Sequence, residues 1–580
     1  MAENTTDQFF KSTVLGHPSG LFVLFFTEMW ERFSYYGMRS LLVLFLTASL
    51  FDEGWGWPRE HAMALFGSYV GLVYLSTMMG GYFADKIIGF RYAVLIGALL
   101  MTLGHASMAF ETEWSIYIGL GLLVIGNGFF KPNMTSIISE MYKDRPQKKD
   151  GAYTIFYMGV NAGAFIGIIL CGYLGEQVGW SLGFGLAGIF MLFGLIQFWL
   201  AQNIFGNIGL KPIKNDVNSI EALDKDKRVP FTSWQLILIL VMVVLGLLWI
   251  INAPATTISG GEINIFSFLG EQGNNIAILT ALGLFLVLLI YRFTQYSKIT
   301  RDKLIAVTFF ALLSVFFWAI FEQSPGTLTI FANDYTDRSL DGSSATIFRI
   351  VNSCMVVIPL GIITWVLYLL FKQTFAKYKW ANIVLSISFV IVWAIAIWML
   401  INQFNDDNLE IPASWFASLN SLYIITLAPL FSKWWESKYN PSANAKYGIG
   451  MFLLALGMAC VAFGAMGIEP GAKTASVSII WLILVYLFHT MGELCISPVG
   501  LSYVSKLVPA RMIAFMFGVW YLAIAIGMKG AGVFGENVDK IADENGISYF
   551  FWILTIVSVV VGVISILFQP IIKKLMHGVR

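Results

Sequence analysis

Charge is scarce in this chain of 580 residues: Asp, Glu, Lys and Arg together make up 12%. A soluble globular domain carries about 25%, so a water-facing globule is excluded. Net charge is +1, and no bulk field points to nucleic acid as a partner. Cysteine is limited to Cys171, Cys354, Cys460 and Cys495. No two form a CxxC pair, so neither a metal site nor a disulfide framework is expected. With five histidines and no HExxH or GxSxG motif, nothing suggests intramembrane catalysis, and no cofactor is expected. Residues 1–16 are polar with one cation, Lys11, which does not fit a cleavable signal peptide. The first apolar helix is expected to act as the insertion signal.

What the chain has instead is 57% hydrophobic residues and 54 glycines, with a mean hydropathy of +0.73. This is the composition of an all-α polytopic membrane protein, with glycine where helices pack closely in lipid. Runs long enough to cross a hydrocarbon core of roughly 30 Å fall at about 19–50, 61–84, 91–110, 115–140, 152–174 and 179–203. A charged stretch at 206–232, with Lys211, Lys214, Lys225, Lys227 and Arg228, divides the chain. Ten more runs follow, at about 233–253, 275–297, 303–331, 347–371, 380–404, 413–435, 446–467, 474–505, 509–534 and 547–576. The total is sixteen. Alternating from a cytoplasmic N-terminus places 27 of the 36 Lys and Arg on the inner side and five outside, as the positive-inside rule requires. The other four, Arg32, Arg39, Lys131 and Lys529, lie within runs.

The densest polar cluster is Glu28-Met-Trp-Glu31-Arg32-Phe-Ser-Tyr35-Tyr36-Gly-Met-Arg39 in the first run. At 100° per residue, two acids, two bases and two phenols lie within about 80° of Glu28 on one helix face. Each charge at mid-helix costs roughly 2.5–3.5 kcal/mol, so four persist only beside a polar cavity or their own partners. Lys131, in Gly126-Asn-Gly-Phe-Phe-Lys131-Pro, either snorkels to the surface or meets an acid, Glu28 or Glu31 by chemistry. Glu322 lies among aromatics near the centre of run 303–331; it is either a proton carrier or an acid neutralised once in folding. Glu493 sits in mid-run one turn after His489, ahead of Pro498, which frees a backbone carbonyl. Asn161 and Asn420 either join this chemistry or bond a neighbouring helix. Tyr74, Trp318 and Trp520 line substrate or simply pack. Titratable acids and bases on different helices suit proton-coupled transport of a polar zwitterion. A channel would need a ring of like residues.

In order along the chain, these motifs resemble the proton-dependent oligopeptide transporters, a branch of the major facilitator superfamily. The likeness rests on Glu28-x-x-Glu31-Arg32 with Tyr35, Tyr36 and Arg39, the Asp85-Lys86-Ile-Ile-Gly89-Phe-Arg91 loop, and the Lys131 segment. It rests equally on Phe156-Tyr157 with Asn161 and Gly163, Phe317-Trp318 with Glu322-Gln323, and Gly492-Glu493-Leu-Cys-Ile-Ser497. It implies two six-helix bundles, at 1–205 and 303–580, with rocker-switch alternating access. Residues 206–302 become a cytoplasmic linker with two extra helices.

The resemblance also implies roles. Glu28, Glu31, Arg32, Lys131 and Glu322 couple protonation to transport. Arg39 pairs with Glu322 as an outer gate, and Lys131 approaches Glu493 as an inner one. Arg39 and Lys131 take a peptide carboxylate; Glu493, with Asn161 and Asn420, takes the amine. Tyr35, Tyr36, Tyr74, Trp318 and Trp520 line side-chain pockets, with Ser497 as a further contact. The expected function is proton-coupled import of di- and tripeptides by a monomer in a bacterial inner membrane, with both termini cytoplasmic. The alternatives are another small substrate, such as an amino acid, nitrate or a peptide-like drug, or a peptide-binding sensor.

Two departures from the family pattern stand out. Ser421 replaces the usual proline after Asn420, which predicts a straighter local helix. Glu322 and Asn420 lie about 65 positions further apart than expected, which predicts a peripheral helical hairpin inserted at about 340–405. The loop 467–473 is too short for the extracellular domain of animal members.

Overall fold

The structure, a computed structural model, describes residues 6–211, 231–270, 272–508 and 513–579. Lys214, Lys225, Lys227 and Arg228 of the expected linker, with Arg511 and Arg580, lie outside the described residues; Pro498 is described in its backbone only. The spanning elements are helices because lipid leaves backbone N–H and C=O groups no partner other than the helix itself; two-residue strands pair outside them, Thr13–Val14 with His17–Pro18 and Thr336–Asp337 with Val477–Ser478.

The first bundle comprises α1 (Ser19–Thr47), α2 (Arg59–Phe83), α3 (Phe90–Met108), α4 (Glu113–Met141), α5 (Lys149–Gln177) and α6 (Trp180–Ala201). An extra pair follows, α7 (Ser233–Ile258) and α8 (Gly273–Thr294). The second bundle starts with α9 (Lys298–Phe321) and the short α10 (Thr327–Asp334). The inserted hairpin is α11 (Gly342–Thr374) and α12 (Lys379–Asn405). Then come α13 (Ser418–Glu436), α14 (Ala443–Gly464), α15 (Ile480–Leu507), α16 (Ile513–Glu536), α17 (Val538–Asn545), α18 (Ile547–Leu567) and α19 (Gln569–Leu575). Among the described residues fifteen helices are long and apolar enough to cross a membrane. The 29-residue α1 adds the sixteenth and is set apart by its four ionisable residues.

Local sequence sets several boundaries. Thr112 and Ser115 cap the start of α4 reciprocally. Gly89 turns the chain into α3 with φ +85° and faces the Leu210 carbonyl, where a Cβ would collide. Its neighbour Arg91 donates to the Gly206 carbonyl, which ties this loop to the end of the first bundle. The run expected at 303–331 is broken: α9 stops at Phe321, turns carry Glu322 to Gly326, and α10 resumes at Thr327. Pro325 cannot continue a helix, so Glu322 caps a helix end rather than occupying a helix middle. Asn420 lies in the first turn of α13. A tight 3-10 turn, Ala413–Ala417, leads into it, and Pro429 lies inside it.

Close glycine contacts set the packing. Gly97 and Gly104 of α3 face Gly126 and Gly119 of α4; a Cβ on any of the four would lie under 3.0 Å from the opposing glycine's carbonyl oxygen. Between the bundles, α2 and α16 cross at Gly67 and Gly532 so closely that a Cβ on either would overlap the other's Cα. The second seam is formed by α5 and α13.

The inserted hairpin belongs by sequence to the second half but packs on the first bundle, with α12 along α6. The Phe389 ring lies 5.7 Å from Phe26 and 5.4 Å from Trp30, both on α1. Trp398 lies 5.8 Å from Tyr173 of α5. With this cover, every residue of α1 except Tyr36 and Thr47 is buried. The feet of the hairpin are clamped together: Leu340 N donates to Leu409 O at 2.8 Å, and Arg338 pairs with Glu410 at 2.7 Å.

Candidate functional site

The molecule has a near end, where α1 begins, and a far end, where it finishes. On α1 the acids and bases occupy one face, as their spacing predicts. Arg32 Nε lies 2.8 Å from Glu28 Oε1 and 2.6 Å from Glu31 Oε2. All three residues are at most 3% exposed. A pair so buried holds only if the remaining lone pairs are also met. For Glu31 the partner comes from α4, where Asn127 Nδ2 donates to Oε1 at 3.1 Å. Glu28 Oε2 is buried and has no hydrogen-bond partner.

Lys131, one turn after Asn127, does not join either acid in an ion pair. Its ammonium lies 4.3 Å from the centroid of the Tyr74 ring, a cation–π contact. The physical reason is local: Arg32 shares a helix with both acids and reaches each from one rotamer, which leaves Lys131 to the aromatic wall.

Further along α1, Arg39 crosses to the second bundle. Its Nη2 sits 2.7 Å from Glu322 Oε2, with Arg39 7% and Glu322 2% exposed. The guanidinium also lies 5.7 Å from the Tyr35 ring and 5.3 Å from Tyr36. Those two rings meet edge to face at 5.2 Å. Trp318, one turn before Glu322, packs edge-on against Phe317 and Phe321.

The third group lies in the second bundle. Asn420 Nδ2, in the first turn of α13, donates to Glu493 Oε2 and to Thr490 Oγ1 of α15, at 3.0 Å each. No hydrogen bond joins His489 to Glu493; the His489 ring rests 6.0 Å from Phe321. Asn161 bonds its own helix, to Tyr157 O at 3.0 Å. Ser497 Oγ is buried without a partner. Trp520 is 3% exposed and packs over Gly500, where a Cβ would strike its ring.

The structure therefore brings together Glu28, Glu31 and Arg32, then Arg39 with Glu322, then Asn420 with Glu493. No ion pair joins Lys131 to Glu493, so the expected near-end gate is not closed, while the far end is latched. Arg59, at the start of α2, reaches Asp334 of α10 at 2.5 Å and Asp539 of α17 at 2.7 Å. Glu176, at the end of α5, accepts from Ala413 N at 2.7 Å and Ser414 N at 2.9 Å. These contacts join the two bundles beyond the Arg39–Glu322 pair.

Sequence reasoning did not single out Asn127, Thr490, Arg59 or Glu176. Asn127 stands one turn before Lys131 and Thr490 three residues before Glu493, and that spacing was a usable signal. Arg59 and Glu176 read as ordinary span ends, and only their partners in the other half mark them.

Known proteins resemble this chain along most of its length. Residues 91–398 and 380–553 match the family model described as POT family, and the two segments overlap within α12. The peptide transporter YePEPT of Yersinia enterocolitica is 32% identical over 98% of this chain and 97% of its own. A di-/tripeptide transporter of Lactococcus lactis subsp. cremoris is 30% identical over 98% of this chain and 99% of its own. A solved POT family transporter in complex with a thioalcohol conjugated peptide has a TM-score of 0.72 and is 26% identical. That likeness covers 98% of this chain and 100% of the other.

Proposed function

From the premise that this chain belongs to the POT family, we propose that it imports di- and tripeptides with protons by alternating access. The near end is cytoplasmic on this reading, supported by the distribution of Lys and Arg, and the membrane is a bacterial inner membrane. The far-end latches and the open near-end gate then correspond to an inward-facing state.

The observation that carries the proposal is the buried Arg39–Glu322 pair between the bundles. Removing one partner of such a pair costs about 3–5 kcal/mol, because a buried charge is left uncompensated. A proton on Glu322 has the same effect without a mutation. It releases Arg39, which is then free for a peptide carboxylate and lets the far end part. Glu493, held by Asn420, is positioned for the peptide amine. The second coupling proton is assigned to Glu28: Oε2 of both acids lacks a hydrogen-bond donor, but Glu31 Oε2 lies 2.6 Å from Arg32 Nε and its Oε1 accepts from Asn127 of another helix.

The experiment is uptake of labelled dialanine into proteoliposomes under an inward proton gradient. Uptake no greater than in gradient-free vesicles would overturn the symport reading. Binding without uptake would favour a peptide sensor.

A further inference from the structure

At the near end of the second bundle, the ends of α13, α14, α15 and α19 enclose a cavity of about 680 Å³. It is separate from the site described above. Among the described residues its lining includes Lys438, Lys446, Lys506 and Lys573 and no Asp or Glu. Lys438, Lys506 and Lys573 are exposed and form a rim. Lys446 is different. It is 9% exposed, its ammonium lies 4.4 Å from the Trp435 ring centroid, and among the described residues no carboxylate pairs with it. The acid nearest in sequence, Glu436, is exposed and accepts from Ser432 within its own helix.

The first residues of the 22-residue α14 also line this cavity, beginning at its N-cap Ser442. A helix start presents N–H groups and the positive end of the helix dipole; here the Ser442 side chain takes the Ala445 N–H, so the dipole and the remaining N–H groups of the first turn face the cavity. Orientation in the membrane accounts for lysines in near-end loops, but it does not account for one buried in a walled cavity without a counter-charge. Such a site is complete only with an anion.

Depth identifies the anion. The cavity opens where spanning helices begin and end. Trp434 and Tyr439 are exposed on one side, and Leu567 and Phe568 on the other. Aromatic side chains of this kind mark headgroup level, and basic pockets between helix ends at that level suit anionic headgroups. A free phosphate would have no use for the apolar flank.

We propose that this cavity binds the headgroup of an anionic phospholipid. Lys446 and the α14 N-terminus hold the phosphate, and the acyl chains lie along Leu567 and Phe568. The test is native mass spectrometry of the full chain released from phosphatidylcholine bilayers doped with phosphatidylglycerol. The wild type retains phosphatidylglycerol in preference to phosphatidylcholine, and K446Q/K573Q lowers that retention about tenfold. K446R keeps it. The rim variant K438Q/K573Q, at exposed positions, also lowers it and stands in should the buried substitution prevent folding. K372Q/K377Q/K379Q removes three exposed lysines from the α11–α12 turn and leaves retention unchanged. Equal retention of the two lipids, or an equal loss in that hairpin variant, overturns the proposal. Displacement of the lipid by millimolar inorganic phosphate overturns it in favour of a soluble anion.

Discussion

Arg39 of α1 and Glu322 at the end of α9 are 283 positions apart in sequence and meet at 2.7 Å, almost fully buried. The pair spans the boundary between the two bundles. Its geometry depends on the break after Phe321, which makes Glu322 a helix cap rather than a mid-helix residue. The ion pair is therefore held by two helix positions that can separate as bodies.

Glu322→Gln is expected to abolish proton-driven accumulation of dialanine and to leave peptide counterflow in place. The amide keeps the shape and removes the proton site. Accumulation at wild-type levels would show that Glu322 is not the coupling acid.

Glu28 and Glu31 are expected to differ. Glu28→Gln replaces an oxygen without a donor and retains counterflow with reduced response to the gradient. Glu31→Leu strands the Asn127 amide and part of the Arg32 charge, and loses about 1–3 kcal/mol of stability. Thermal unfolding of the two variants beside uptake checks the assignment; similar behaviour in both assays counts against it.

Glu493→Gln is expected to weaken competition by dialanine about 10–100-fold, the range for losing a charge-assisted hydrogen bond. Competition by N-acetyl-dialanine, which lacks the charged amine, changes little. A comparable drop for both peptides would mean that Glu493 does not read the amine.

Arg59→Ala removes two partly buried ion pairs at the far end. At up to about 1 kcal/mol per pair, loss of the two shifts the population of far-end-open molecules by up to roughly thirtyfold. Spin labels at the exposed positions Glu60 and Glu544 report this as a longer interbundle distance. An unchanged distance distribution would mean that the latch carries no weight.

Replacing 341–408 by a two-residue turn is geometrically simple, because Leu340 and Leu409 already share a hydrogen bond. The shortened chain is expected to transport peptide with lower thermal stability, since Phe26 and Trp30 lose their cover. Phe389→Ala tests the same contact at a cost of about 3–5 kcal/mol. A well-folded hairpin-free chain without any transport would assign the hairpin to the mechanism.

Much of this was legible in the sequence because spanning helices and buried charges follow one-dimensional rules. Hydropathy located the sixteen runs, and angular spacing on α1 grouped Glu28, Glu31, Arg32 and Arg39. Two kinds of feature were not legible. The break at Pro325 was hidden because the residues on both sides are equally apolar. The partners of Asn127, Arg59 and Glu176 lie on other helices, and spacing along one helix carries no information about them. Lys131 combined both problems: its charge demanded a partner, but Arg32 had already taken both acids and an aromatic ring received it.

The hairpin that rides on α6 is joined to the rest of the second half by the chain at residues 335–341 and 406–412, and its Phe348 ring stacks on Trp415 just beyond them. If the halves rotate against each other, that rotation is taken up in these two short stretches and at the Phe348–Trp415 contact, because the hairpin packs on the first bundle. They act as a suspension. A covalent cross-link between them and the α5 end would arrest turnover from a position outside the cavity, with the charge network left intact.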